Sequence, residues 1–274
     1  MQSVDAALWY LESHYKEEVT LDTVAGIAGV SRFHLARAFR FVTGHTVMGY
    51  LRGRRLSEAA RRLAAGDVDV LDVALDYGYG SHEAFTRAFR EQFGVTPQRV
   101  RQSRDMTELD LVEAMRMNRN TQATVDPARI VDGKAMLIAG ISRTHRGTNA
   151  GMPAQWQDFT PYLGHIAGQA DGCTYGVLHN DTEGSIDYLT GVEVRDFAGL
   201  PGEFAHLRIA PQRYAVFQHA GHVATIGETW GAIWSDWFPR SGHEAADAPM
   251  FERYPATFDG RTGTGGFEIW IPLK

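Results

Sequence analysis

Two segments, LARAFRFVTGHT (35–46) and FTRAFREQFGVT (85–96), are copies of one pattern set 50 positions apart. Apolar residues recur in both at spacings of three and four, which is the period of an amphipathic helix. The identical pairs are Ser31/Ser81, Arg37/Arg87, Ala38/Ala88, Phe39/Phe89, Arg40/Arg90, Gly44/Gly94 and Thr46/Thr96. The repeat indicates that one helical unit is duplicated within the chain.

Each copy has a glycine and a serine shortly before this helix, and both residues are typical of a turn. Gly29 and Gly78 suit a left-handed turn conformation, which glycine adopts without steric cost. Ser31 and Ser81 can cap the following helix, because a serine hydroxyl accepts hydrogen bonds from the free backbone amides there. A short helix, a tight turn and a second helix together predict a helix-turn-helix.

Helical periodicity continues through the first part of the chain, so we predict an all-α domain at residues 1–104 with two helix-turn-helix units. The predicted helices span residues 3–16, 21–28, 31–43, 46–64, 69–77, 81–93 and 96–103. We predict a linker at 105–132, in which MTELDLVEAMRMNRN has helical spacing and TQATVDPARIVDG is irregular.

Charge is distributed unevenly along the chain, whose formal net charge is −6. Residues 1–104 carry a net charge of +2, and residues 105–274 carry −8. The segment 32–62 contains eight arginines and one acidic residue. A basic segment in an acidic protein indicates a polyanionic partner, or else a solvated helix face.

The single cysteine excludes an intramolecular disulfide and a multi-cysteine zinc site. An acidic N-terminus without a long apolar run predicts a cytoplasmic protein that does not enter a membrane.

The second part changes to short runs typical of β-strands, namely KAMLIAGI, TYGVLHN, DYLTGVEV, RYAVFQHAG, MFERYPATF and FEIWIPLK. Segments 153–168 and 224–238 between them have helical spacing. The pairs Trp156/Trp230 and Glu193/Glu268 repeat at offsets of 74 and 75. We therefore predict an α+β domain at 133–274, in which two pseudo-twofold β-α-β-β units form one sheet. Both helices would lie on one face, and a groove would lie on the other.

The outward faces of the two duplicated helices offer side chains that can read DNA. Arginine can bond guanine bidentately, and Phe33 or Ala36 can touch a thymine methyl group. Arg40 and Arg90 lie one turn further along, where phosphate contacts are expected. The predicted DNA-binding residues are Arg32, Phe33, Ala36, Arg37, Arg40, Ser81, His82, Glu83, Thr86, Arg87 and Arg90.

Residues 5–103 resemble the DNA-binding domain of the AraC/XylS family of bacterial transcription regulators. The resemblance is carried by DTVAGIAGVSRFHLARAFRFVTGHTVMGYLRGRRLSEAARRL and VALDYGYGSHEAFTRAFREQFGVTPQRVRQ. It implies two helix-turn-helix units joined by a long helix, which read an asymmetric site in double-stranded promoter DNA. We predict an activator that contacts RNA polymerase in the nucleoid, although the sequence leaves the choice between activator and repressor open. The implied base-reading positions are Phe33, Ala36, Arg37, His82, Glu83, Thr86 and Arg87.

Carboxylates beside aromatic residues are the candidate ligand contacts of the second domain. Glu268 shares a strand face with Trp270, and Glu252 shares one with Tyr254. A buried carboxylate is costly unless it is paired, and a ligand cation can pair with it, helped by ring faces. Alternatively, such a glutamate bonds backbone groups or a nearby arginine. The stripe of Trp230, Trp234 and Trp237 instead predicts a helix packed on the sheet.

Residues of about 134–274 resemble the GyrI-like, or effector-binding, domain family through TYGVLHN, DYLTGVEV, RYAVFQHAGHVATIGETWGAIWSDWFPRSG, FERYP and FEIWIPL. The resemblance implies a groove for amphipathic, often cationic, aromatic molecules, with the acidic pocket residue at Glu268. The predicted ligand-binding residues are Glu268, Trp270, Glu252, Tyr254, Tyr175 and Glu193. We predict a small-molecule sensor without cofactor, metal or catalytic residue. Two alternatives remain, a hydrolase of reactive small molecules with Glu268 as general base, and a protein-binding module.

Overall fold

The computed structural model describes residues 2–66, 68–115, 125–127, 129–146, 151–180 and 185–274. The chain divides into two compact units, Gln2–Leu35 with Thr46–Asn118, and Ala36–His45 with Arg119–Lys274. The division passes through the helix of the first repeat. In the described ranges, the helices are all too short or too polar to cross a membrane.

Each helix predicted for the first 104 residues is confirmed, with ends that differ by two residues at most. The helices are α1 (Gln2–His14), α2 (Leu21–Ala28), α3 (Arg32–Thr43), α4 (Val47–Ala65), α5 (Val70–Asp76), α6 (His82–Phe93) and α7 (Pro97–Ser103).

The turns of both repeats follow the sequence prediction. Gly29 and Gly78 have φ angles of 68° and 81°, in the left-handed region. The Ser31 hydroxyl accepts a hydrogen bond from the amide of His34 at 3.2 Å, at the start of α3. The Ser81 hydroxyl accepts one from the amide of Ala84 at 3.1 Å, at the start of α6. These caps satisfy backbone donors that a helix leaves free at its first turn.

The long helix α4 organises the smaller unit. Its residues Leu56 and Leu63 are fully buried in one cluster with Phe85 and Phe89 of α6. On another side, Arg54 donates through Nε to Glu12 Oε1 of α1 at 2.8 Å, and also bonds Glu58. Apolar burial and one buried ion pair therefore fix α1 and α6 to the same helix.

The helix suggested for the linker is wrong for its described part, since residues 106–115 are a turn and irregular chain. The backbone of Val112 bonds α4: its amide donates to Ser57 Oγ at 2.9 Å, and its carbonyl accepts from Arg54 at 2.9 Å. Backbone groups engaged in this way are unavailable for an intrahelical ladder. Residues 116–120 of the suggested helix lie outside the described residues.

The larger unit contains one antiparallel sheet, whose order is β1-β6-β8-β7-β3-β4-β2-β5. Its strands are β1 (Arg129–Gly133), β2 (Met136–Arg146), β3 (Thr174–His179), β4 (Ser185–Glu193), β5 (Ala205–Ile209), β6 (Gln212–His219), β7 (Met250–Tyr254) and β8 (Phe267–Leu273). The order is symmetric about the β3/β7 pair, which confirms the pseudo-twofold repeat. The sequence analysis missed β1 and β5, the short edge strands, and it assigned β1 to an irregular linker.

Helices cover one face of this sheet. They are α8 (Met152–Phe159), α9 (Ile226–Ala232) and α10 (Phe238–Ser241), with a π-helical segment at Ile233–Trp237 between α9 and α10. Helix α8 is shorter than the predicted 153–168 and ends in a 3₁₀ turn. The predicted tryptophan stripe is confirmed as core, since Trp230, Trp234 and Trp237 are all buried.

Candidate functional site

The outer face of α6 is an open surface of polar and charged side chains. His82, Glu83, Arg87 and Arg90 are exposed and line one shallow concavity with Thr86. Hydrogen bonds from its own amide and from Ser81 lower the pKa of Glu83, so this carboxylate is an acceptor at neutral pH. Two arginines and an acceptor on one helix face can contact base edges and phosphates. The structure therefore brings the predicted residues of the second repeat together.

The equivalent face of α3 differs from the prediction. Arg32 is exposed and Phe33 and Ala36 are half-buried, whereas Arg37 and Arg40 are only 2% and 1% exposed. The outward orientation predicted for these two arginines is therefore wrong in this structure. Part of the cause is Trp234, whose ring centroid lies 5.8 Å from the guanidinium carbon of Arg37.

A buried carboxylate lies at the pseudo-twofold axis of the sheet, on the helix-covered face. Glu252 of β7 accepts hydrogen bonds at Oε2 from the hydroxyls of Tyr188 at 3.0 Å and Tyr254 at 2.9 Å. Its Oε1 accepts from the indole Nε1 of Trp230 at 3.2 Å. Trp156, the repeat equivalent of Trp230, donates in turn to the Tyr188 hydroxyl at 2.9 Å. The two repeated tryptophans thus converge on one site.

The electrostatics of Glu252 are set by burial and by uncharged donors. Removal from water raises the pKa of Glu252 above its ordinary value, and the hydrogen bonds from Tyr254, Tyr188 and Trp230 offset that rise only in part. Burial beside this carboxylate also raises the pKa of Tyr188 and Tyr254. The site therefore favours a positive charge that would neutralise the carboxylate.

The opposite face of the sheet holds a second, ion-paired cluster. Glu268 accepts from Arg129 at 2.7 Å and from the Trp270 indole at 3.0 Å, and Arg253 lies 3.7 Å away. The Tyr175 hydroxyl on the same face bonds Asp171 at 3.2 Å and Glu193 at 3.4 Å. Burial and the Asp171 charge raise the pKa of Glu193.

The six predicted ligand residues therefore form two groups. Glu252 and Tyr254 lie on the helix-covered face, while Glu268, Trp270, Tyr175 and Glu193 lie on the other. Strand alternation identifies which residues share a face, but the helix-covered face is a property of the tertiary structure.

Comparison with known families decides the nature of the larger unit. Residues 127–274, just over half of the chain, match the GyrI-like small molecule binding domain. The chain belongs to the GyrI-like family. Residues 24–103 of this GyrI-like protein also match a helix-turn-helix domain.

Similar proteins share one or both parts of this arrangement. Transcriptional regulator Rob of Salmonella typhimurium is 28% identical over 288 residues, covering 98% of this chain and 97% of that protein. Right origin-binding protein of Escherichia coli K12 is 40% identical over 117 residues, 43% of this chain and 40% of that protein. A solved structure of SAV2435 bound to tetraphenylphosphonium matches 53% of this chain and 93% of that chain, with 19% identity and a TM-score of 0.46. The family matches identify this GyrI-like protein as an AraC-type transcription regulator.

Two partners of the buried carboxylate in this GyrI-like domain, Tyr188 and Trp230, were not predicted from the sequence, nor was Trp156, which bonds Tyr188. The repeat pair Trp156/Trp230 was a usable signal, because two equivalent indoles in a pseudo-twofold domain are expected to approach the axis together. Gly176 was a second signal. It is the register partner of Glu252, and any side chain there would fill the site.

Proposed function

We propose that this regulator binds promoter DNA through its recognition helices and responds to an amphipathic aromatic cation bound at Glu252. The observation that carries the proposal is a carboxylate buried among three uncharged donors at the centre of a small-molecule-binding domain. RNA polymerase is the protein partner that we propose, as the resemblance of residues 5–103 to AraC/XylS regulators implies.

Burial of the acid Glu252 favours a cationic ligand. An ionised carboxylate out of water is unfavourable unless a positive charge compensates it. Glu268 already has Arg129 at 2.7 Å as its counter-ion. Glu252 has hydrogen bonds from neutral groups, so a ligand cation gains more there than at Glu268. We therefore propose Glu252, in place of Glu268, as the acidic residue that contacts the ligand.

The surroundings of Glu252 also favour an aromatic ligand. The Trp156 and Tyr254 rings meet edge to face, with centroids 5.1 Å apart, and Tyr254 packs against Phe267 at 4.5 Å. Ring faces attract cations and pack on flat apolar groups. A lipophilic cation with several phenyl rings matches both properties.

The proposed DNA contacts rest on α6. Its exposed Arg87 lies in the N-terminal half of the helix, from which recognition helices reach base edges in the major groove. Arg90 lies one turn further along and is proposed to contact phosphate.

Calorimetric titration of the full chain with tetraphenylphosphonium tests the ligand site. The anion tetraphenylborate, with the same shape and opposite charge, serves as the ligand control. We expect saturable binding of the cation only, a loss of at least about tenfold in Glu252→Gln, and little change in Glu268→Gln. A loss in Glu268→Gln alone would move the site to the other face, and no binding of the cation by the unaltered chain would overturn the proposal.

A hydrolase is the second candidate function, and the observation that favours it is the burial of Glu252 beside two tyrosine hydroxyls, which raises the pKa of this carboxyl. A carboxylate whose pKa moves toward neutrality suits general base catalysis, and this residue replaces the Glu268 of the sequence-based alternative. Mass spectrometry of a reactive ester after incubation with the chain decides the matter. Multiple turnovers that disappear in Glu252→Gln would establish hydrolysis, and unchanged ester would leave sensing as the function.

A further inference from the structure

The two copies of the helical repeat differ most near the end of the second helix. RAFRFVTG in α3 corresponds to RAFREQFG in α6, so Phe41, Val42 and Thr43 stand where the second copy has Glu91, Gln92 and Phe93. Glu91 is exposed, as an acid on the outside of a helix normally is. An aromatic and an aliphatic residue at the same positions indicate that the first copy has an apolar partner there.

Within the larger unit, that partner is the start of the tryptophan stripe. The Phe41 ring stacks on Trp230 with centroids 4.1 Å apart and planes 6° apart, and it lies parallel to Trp234 at 6.5 Å. A methyl group added at Gly231 would lie 3.5 Å from a Val42 methyl, at van der Waals contact. Phe41 and Val42, the two apolar residues that replace polar ones of the second copy, therefore both meet α9.

Trp230 has a second role in the same unit. Its indole donates to Glu252, so one side chain both bonds the buried carboxylate and stacks on Phe41. The next residues, Ile233–Trp237, are π-helical, and such segments are frequent where a helix serves function. Trp234 within this segment lies beside Arg37.

We infer that residues 36–45, packed as they are here, mask the tryptophan stripe, and that a cation at Glu252 releases them and exposes Arg37 and Arg40 for DNA. The inference rests on the proposed function, because it takes Glu252 as the ligand site. A ligand reaches the buried Glu252 only if a covering residue moves. Movement of Trp230 breaks the Phe41 stack.

The thermodynamic consequence is reciprocal coupling. In the closed state Trp230 seals Glu252 and Arg37 is buried, and in the open state both sites are available. A ligand that binds only the open state raises DNA affinity, and DNA raises ligand affinity by the same factor. Loss of the Phe41 stack alone shifts the protein toward the open state.

The variant Phe41→Ala tests the mask, with Glu91→Ala at the equivalent position of the second copy as matched control. DNA affinity is measured on the tightest duplex selected by the full chain from a random pool. We expect tetraphenylphosphonium to tighten DNA binding of the unaltered chain by about tenfold, within the usual range of allosteric coupling. Phe41→Ala should bind DNA about tenfold more tightly than the unaltered chain even without the cation, and it should also bind the cation more tightly. Glu91→Ala should behave like the unaltered chain in both measurements.

An engineered disulfide, which can be formed and reduced, provides a second measurement. In Val42→Cys/Gly231→Cys, a disulfide would hold residues 36–45 on α9, and Cys173, the native thiol, is buried. We expect the oxidised protein to lose the response of DNA binding to the cation, and dithiothreitol to restore it. Failure of the disulfide to form in folded protein would contradict the packing.

The outcomes separate the two proposals. Suppose that Phe41→Ala changes neither DNA affinity nor cation affinity, while the unaltered chain binds the cation through Glu252. The inference that residues 36–45 mask the tryptophan stripe would then be wrong, and Glu252 would remain the proposed ligand site. If the cation does not bind the unaltered chain, the ligand site is wrong, and a gain in DNA affinity in Phe41→Ala would still reveal a mask that another signal removes.

Discussion

Gly176 of β3 is the register partner of Glu252 of β7, and a Cβ added at Gly176 would lie 2.1 Å from the Tyr188 hydroxyl oxygen. The same Cβ would lie 2.7 Å from Glu252 Oε2. Because Gly176 has no side chain, it leaves the space in which the Tyr188 phenol and the Glu252 carboxylate meet. The central strand pair of the pseudo-twofold sheet thus combines the acid with the one residue type that leaves room for it.

Gly176→Ala is expected to destabilise the protein by about 1–3 kcal/mol, because overpacking a buried site forces neighbours out of place. It should also abolish binding of tetraphenylphosphonium, since the hydrogen bond between Tyr188 and Glu252 cannot survive. Urea denaturation and calorimetry measure the two effects. Gly202→Ala, where an added methyl meets open space, is the control and should change stability by less than about 0.5 kcal/mol. Equal behaviour of the two variants would contradict this account.

The raised pKa of Glu252 predicts a pH-dependent stability difference. Between the ordinary carboxyl pKa of 4.5 and the raised value in the folded protein, the folded state binds more protons than the unfolded state. The free energy of unfolding therefore falls as pH rises through that window. Urea denaturation from pH 4.5 to 8.5 should show the unaltered chain losing stability relative to Glu252→Gln as pH rises. A difference independent of pH would show that Glu252 titrates normally.

Cation binding should have the opposite pH dependence from stability. Tetraphenylphosphonium pairs with the ionised carboxylate, so its affinity should increase as pH rises through the raised pKa of Glu252 and then level off. Titrations at several pH values measure this effect. The residual affinity of Glu252→Gln should stay flat over the same range, and a parallel slope in that variant would assign the titration to another group.

Arg87 and Arg90 are expected to contribute differently to DNA binding. Arg87→Ala should cost about 1–3 kcal/mol on the selected duplex and relax the preference for one base pair. Arg90→Ala should weaken binding to all sequences alike and reduce the salt dependence by about one ion, as loss of a phosphate contact does. Fluorescence anisotropy at several salt concentrations distinguishes the two patterns. Arg261→Ala, an exposed arginine of the sheet unit, is the control and should leave affinity unchanged.

The ion pair between α1 and α4 should govern the acid stability of the smaller unit. Burial would raise the pKa of Glu12, but hydrogen bonds from Arg54 and Tyr50 hold it below its ordinary value. Glu12 therefore contributes to the free energy of unfolding above pH 4.5, and this contribution is lost as pH falls through its lowered pKa. Glu12→Gln should cost about 3 kcal/mol at pH 7, because it leaves the buried Arg54 with less compensation. Circular dichroism during denaturation measures this, and the exposed Glu18→Gln should have little effect.

Much of the fold could be predicted from the sequence because its signals are local. Glycine turns, serine caps and helical spacing depend on neighbouring residues, and the structure places the seven predicted helices accordingly. The repeat at Trp156 and Trp230 predicted the pseudo-twofold sheet. Strands β1 and β5 were missed because edge strands are short and pair with residues far away in the chain.

At the candidate ligand site, local sequence patterns predict only part of the arrangement. Alternation along FERY and FEIW places Glu252 with Tyr254 and Glu268 with Trp270, as observed. The period of two is the same for both faces, so the pattern does not say which face the helices cover. The arginines that neutralise Glu268 also come from β1 and β7, and that proximity depends on the strand order.

Periodicity and turn chemistry act over a few residues, so the duplicated helix-turn-helix and the repeated α+β unit follow from the sequence alone. The exposure of the functional side chains depends instead on the tertiary structure. Arg37 and Arg87 occupy the same position of the repeat, yet one is buried beside Trp234 and the other is exposed. Exposure depends on what packs against a helix face, and that neighbour lies almost 200 residues away in the chain.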